Sequence, residues 1–131
     1  MIIDSSALLA LVLNEPDGKL FARAIASAER PRMSAVNWFE ATLLIDRKGD
    51  AVAASRFGDF ITEFGIEVIQ FTPEHARRAR QARGIYGKGQ HPAKLNFGDC
   101  MAYATAKIEG APLLFKGNDF AQTDIEPALK D

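Results

Sequence analysis

The chain has 131 residues, 47% of them hydrophobic and 25% charged, the composition of one globular domain, residues 1–131, with room for a real core. Sixteen Lys and Arg against seventeen Asp and Glu leave a formal net charge of −1, so any nucleic-acid binding must come from a local patch. A single cysteine excludes an internal disulfide framework and fits a reducing, cytoplasmic setting.

"MIID" predicts a short β-branched strand ending on Asp4, and "SSALLALVLN" a helix with Ser5 as its N-cap. This apolar opening lacks a basic leader and falls short of the roughly 18 apolar residues a membrane span needs, so it reads as core. "EPDG" is turn chemistry, "KLFARAIASAE" a second amphipathic helix and "RPRMSAV" a short strand. "NWFEATLLIDRKG" and "DAVAASRFGDFITEFG" are helices stopped by Gly49 and Gly65. "IEVIQF" alternates and is rich in Ile and Val, which makes it a strand. "TPEHARRARQARGIYG" is a helix with Thr72 as N-cap and Pro73 at its first position. Gly84, Gly87 and Gly89 predict a mobile loop before the helix headed by Asp99. "GAPLLFKG" is a buried strand, and the tail a loop with one short strand at Asp124–Ile125. Strands alternating with helices predict an α/β sandwich around a mainly parallel sheet, whose ligands collect at the carboxyl ends of the strands.

Four acids stand where that rule points. Asp4 ends the first strand, with capping of the next helix as its ordinary role. Glu40 is flanked on its helix by Val36, Asn37, Leu43 and Leu44, a mostly apolar setting where a carboxylate needs a partner. Asp99 heads a helix thinned to Ala102, Ala104 and Ala106, small residues that let a helix press closely on a sheet. Asp119 follows "LLFKGN", just past another strand, where a turn Asp is the plain alternative. Carboxylates that share a small volume must be neutralised by protons or cations, and hard oxygen donors suit Mg²⁺ or Mn²⁺.

The segments "MIIDSSALLALVLNEPDG", "NWFEATLLI", "YGKGQHPAKLNFGDCMAYATAK" and "PLLFKGNDFAQTDI" resemble the PIN-domain ribonucleases, and among them the VapC toxins of bacterial toxin–antitoxin pairs. The resemblance covers essentially the whole chain. It implies a three-layer α/β/α sandwich, a homodimer, and Mg²⁺-dependent endonucleolytic cleavage of RNA. It also implies a VapB-like antitoxin whose tail covers the basic groove and places an Arg among the acids. Carried onto this chain, the acidic set is Asp4, Glu40, Asp99 and Asp119, with Ser6 and Asn96 as supporting polar residues. Many relatives have two consecutive acids where this chain has Asn118–Asp119.

Asp4 and Asp99 are expected as direct metal ligands, and Glu40 and Asp119 as ligands directly or through water. Arg77, Arg80, Arg83, Lys88 and Lys94 fall in a run with no acid among them and form the expected RNA-contacting surface, a solvated basic face being the plain alternative. Cys100, His75 and His91 share no metal-ligand spacing. A phospho-receiver domain is excluded by the missing acidic pair after the first strand, and a metal-dependent phosphatase by Ser6 where a second acid is needed. The remaining alternative is a silent module of the same fold that binds RNA or protein without cutting.

Overall fold

In the computed structural model, which describes residues 1–130, four short parallel strands lie in the order β3-β2-β1-β4. They are β1 (Ile2–Ile3), β2 (Arg32–Ser34), β3 (Glu67–Ile69) and β4 (Leu113–Leu114). The register pairs Ile2 with Leu113 and Ile3 with Leu114, so neighbouring side chains alternate between the two faces.

Ile3, Met33 and Leu114 share one buried cluster with α1 (Ser5–Val12), α2 (Gly18–Ser27), α3 (Ala35–Arg47) and α4 (Ala51–Glu63). Ile2 and Leu113 share the other with α5 (Pro73–Tyr86) and α6 (Phe97–Glu109). The result is the expected three-layer α/β/α sandwich. On α6, Ala102, Ala104 and Ala106 are all essentially inaccessible, which is the close approach their size allows. Gly49 and Gly65 end α3 and α4 with φ of +65° and +62°, a backbone that glycine adopts without strain.

Three local expectations are corrected. Asp4, not Ser5, caps α1: its backbone is extended and its carboxylate accepts from the Ser6 N–H, which leaves Ser5 as the first helical residue. Helix α5 runs through Gly84 to Tyr86, so the loop begins only at Gly87. Gly87 pairs with Leu95, and its carbonyl accepts from Gln90 at 2.9 Å and His91 at 3.1 Å. No strand forms at Asp124–Ile125. Asp124 is drawn to the Tyr103 hydroxyl and to Lys107 at 2.9 Å, Ile125 is buried, and the tail meets β4 only at a bridge between Leu113 and Pro127. A 3-10 turn at Phe120–Gln122 was not foreseen; it follows from burying Phe120 beside Phe115.

Candidate active site

The acids are delivered by separate elements. Asp4 stands between β1 and α1, Glu40 on α3, Asp99 in the first turn of α6, and Asp119 just beyond β4. Parallel pairing puts the exits of β1 and β4 side by side, and the Asp4 N–H donates to the Leu114 carbonyl at 2.9 Å.

Asp4 is buried, with 3% of its surface exposed. Its Oδ2 accepts from the Ser6 hydroxyl at 2.6 Å and the Ser6 N–H at 3.1 Å, whereas Oδ1 is buried with no hydrogen-bond partner among the described residues. The Ser6 hydroxyl also accepts from the Lys116 N–H at 3.0 Å, tying the exit of β4 to Asp4. Burial pushes the Asp4 carboxyl up to about 7 against the pull of the Ser6 hydrogen bonds, and the charges of Asp99 and Glu40 push it further the same way. Asp99 is half-buried and also raised, first by burial and then by Asp119 and Glu40, with the Asn96 N–H opposing. These mutual repulsions link all four acids in one field.

Asn96 caps α6 reciprocally with Asp99: its Oδ1 accepts from the Asp99 N–H at 2.9 Å, and Asp99 Oδ2 accepts from the Asn96 N–H at 3.0 Å. Glu40 is half-buried, and Oε1 accepts from the Ser5 hydroxyl at 2.7 Å and more weakly from Asn37 Nδ2 at 3.4 Å. Its apolar flank is less enclosed than the sequence implies, because Leu43 and Leu44 face solvent. Asp119 is exposed and its side chain caps nothing.

Sequence reasoning missed Ser5, Ser34 and Asn37. Ser34 caps α3 by accepting from the Asn37 N–H at 3.1 Å, and its hydroxyl donates to Asn37 Oδ1 at 2.8 Å. The signal was present, since Ser34, Asn37 and Glu40 step by three along one helix face.

A groove of about 550 Å³ opens between α5 and the start of α6. Phe71, Leu95, Phe97 and Met101 give it apolar walls, Arg80, Arg83 and Lys88 line it with positive charge, and no acid among the described residues lines it. Arg77 and Lys94 are exposed but do not line this groove. Burial and the charge of Asp99 push the Cys100 thiol up, with Arg83 pulling the other way, which disfavours a thiolate nucleophile. His75 is spent on capping α5, where Nδ1 accepts from the Thr72 N–H at 3.1 Å, and His91 Nδ1 accepts from the Ala93 N–H at 3.0 Å.

Among the described residues no three His, Cys, Asp or Glu side chains are gathered into a ready-made metal cage. The donor chemistry nonetheless fits a hard cation: oxygen donors only, and in Asp4 Oδ1 a buried carboxylate oxygen left without a partner by the described residues.

The PIN domain model matches residues 1–126. Ribonuclease VapC36 of Mycobacterium tuberculosis is 47% identical over 127 residues, spanning 96% of this chain and 91% of its own. Among solved structures, M. tuberculosis VapC20, described as a Sarcin-Ricin loop cleaving toxin, superposes with a TM-score of 0.73 at 17% identity, covering 96% of this chain and 98% of that one. A toxin–antitoxin complex from Klebsiella pneumoniae gives 0.71 at 19% identity, covering 94% and 92%. The two structural likenesses bear on the fold. Identity near one residue in two along almost the full length of both chains carries the closer kinship: this protein belongs to the PIN domain family, in its VapC branch.

Proposed function

We propose that this protein is a Mg²⁺- or Mn²⁺-dependent endoribonuclease that acts as the toxin of a toxin–antitoxin pair in the cytoplasm. The observation that carries the reading is Asp4, a buried carboxylate within the field of Asp99 and Glu40, with one oxygen unpartnered among the described residues. Such a group keeps a proton or takes a cation. Asp4 and Asp99 are the direct ligands in this reading, and Glu40 and Asp119 complete the shell directly or through water. A divalent cation held there would supply charge neutralisation at the phosphoryl group and a lowered pKa for a bound water.

The chain's own residues do the rest. Ser6 orients Asp4, Asn96 orients Asp99, and Ser5 with Asn37 orients Glu40. Arg80, Arg83 and Lys88 hold RNA phosphates in the groove that leads to α6, with its apolar walls available to bases. Arg77 and Lys94 lie outside the groove and carry at most an outer contact. The antitoxin in this reading is VapB-like and places a cationic side chain among the acids. Trp38, Phe39, Leu43 and Leu44 leave apolar area exposed on α3 for that partner or for a second copy in a homodimer.

The test is to map new 5′ ends in total bacterial RNA incubated with purified protein. Wild type and Asp99→Asn are compared, each with Mg²⁺ and with chelator. Discrete ends that require both the metal and Asp99 are expected. Their absence, from folded protein free of antitoxin, would leave a module that binds without cutting.

A further inference from the structure

Gly98 sits in the first turn of α6, buried, between Phe97 and Asp99. A Cβ built there would lie 1.9 Å from Glu40 Oε2, 2.5 Å from Cδ and 2.7 Å from Oε1. The Glu40 carboxylate therefore occupies the space that any other residue at position 98 would fill. The backbone of Gly98 is not in the left-handed region, so no turn geometry demands glycine there. The three nearest atoms that a side chain there would meet all belong to the Glu40 carboxylate. Glycine in a helix is otherwise less favourable than alanine, less so in the first turn than in the interior.

The same residue is also held through its carbonyl. The Gly98 carbonyl accepts from Asn37 Nδ2 at 3.1 Å, and that amide nitrogen also reaches Glu40 Oε1 at 3.4 Å. Asn37 is 1% exposed, and its Oδ1 is taken by the Ser34 hydroxyl at 2.8 Å, so the amide cannot turn over without losing both contacts. With Oε1 gripped by Ser5 and Asn37 and Oε2 against the bare Cα of Gly98, Glu40 has little freedom to leave this position. α3 and α6, which bring two of the four acids, are joined at this point.

We infer that Gly98 and Asn37 are positioning residues for Glu40: the missing side chain at 98 makes the seat, and the Asn37 amide locks the carboxylate and α6 into one arrangement. The inference rests on Glu40 serving the nuclease site proposed above. A methyl at 98 forces the Glu40 carboxylate out of this seat at the cost of its contacts with Ser5 and Asn37, while the backbone of α6 is left in place.

Two measurements test this, and the first does not depend on cleavage. Melting temperatures in chelator are compared for wild type, Gly98→Ala, Glu40→Ala and the double variant. Gly98→Ala is expected to raise the melting temperature more in the Glu40→Ala background, where only the helix-propensity gain remains, than with Glu40 present. Equal changes in the two backgrounds would overturn the seat. The second measures kcat and KM on a mapped RNA oligonucleotide. Gly98→Ala is expected to lower kcat about 100-fold, the cost of a carboxylate misplaced by an ångström or so, with KM unchanged. In a Glu40→Asp background, whose shorter side chain has withdrawn from the seat, Gly98→Ala is expected to cost no further activity. An undiminished kcat in Gly98→Ala, or an equal loss in the Glu40→Asp background, would overturn the positioning role. A wild type that cuts no RNA would defeat the nuclease reading and leave the melting cycle standing as the test of the seat.

Discussion

The two ends of the sheet treat buried charge in opposite ways. At the amino end Arg32 is 7% exposed, and its guanidinium meets Glu109 at 3.0 Å, while the exposed Arg30 and Glu67 pair at 3.6 Å alongside. At the carboxyl end Asp4 is more deeply buried still, its neighbours are acids, and no cation among the described residues reaches it. Even Lys116, whose backbone is tied to Ser6, turns its ammonium away to Glu15 at 2.8 Å and Asp17 at 3.1 Å. One end neutralises its charge within the fold, which is what stability requires. At the other, no such partner is present among the described residues, and that asymmetry is why the active site is proposed there.

The largest effect comes from removing the unneutralised acid. Asp4→Asn keeps a side chain that caps helices well, so the fold is expected to survive. RNA cleavage should fall by more than about 100-fold, since loss of a supporting residue around a metal already costs that much. Stability should move the other way. The folded carboxyl titrates near 7 and the unfolded one near 3.8, so the unfolded chain ionises first and stability drops as pH rises between those values. The full penalty, roughly 4 kcal/mol at most, is present above pH 7 and absent below about pH 4. Metal-free Asp4→Asn should therefore melt above wild type at pH 8, with the gap closing at pH 4.

The matching change at the other end is Glu109→Ala. It strands the buried Arg32 charge and should cost about 2 kcal/mol, less than a fully buried pair because Glu109 is partly exposed. Cleavage should be unchanged, and an equal loss of activity would erase the contrast between the ends. Smaller again is the groove. Arg80→Glu with Lys88→Glu should weaken RNA binding about tenfold or more and flatten its salt dependence by roughly one to two phosphate contacts, read by titration at several salt concentrations. The smallest is Ser6→Ala, expected to cost about 1 kcal/mol in a thermal melt and to move the Asp4 titration upward, as two hydrogen bonds to its carboxylate are weakened or lost.

Much of this was legible in the chain itself. The β-branched "MIID", the alanines of α6, Thr72 with Pro73, and the glycine stops at 49 and 65 are local signals, and local physics decides them. The four candidate acids could be picked out locally, because a carboxylate at a strand exit, at the head of a small-residue helix or beside apolar residues stands out wherever the chain folds. What stayed hidden depends on contacts far apart in sequence. Ser5 looked like a cap because Asp4 and Ser5 are both good capping residues locally, and only the distant Glu40, which takes the Ser5 hydroxyl, decides between them. Gly98 looked like an ordinary residue of "NFGD" because the atom that needs its space arrives from position 40. The tail looked like a strand at Asp124 because the pull of Tyr103 and Lys107 on that carboxylate cannot be read from its neighbours. Of the basic run, Arg77 shares its composition with Arg80 and Arg83, yet only the latter two line the groove.

The most direct test of the central claim is Mn²⁺ affinity measured from pH 5.5 to 8.5 on wild type and Asp4→Asn, with no RNA present. If the buried acid is the cation's seat, binding must displace its proton. Wild-type affinity should then rise about tenfold per pH unit up to about 7 and level off above it, and Asp4→Asn should bind far more weakly at every pH. Affinity that is flat across this range, or the same in both proteins, would contradict the account.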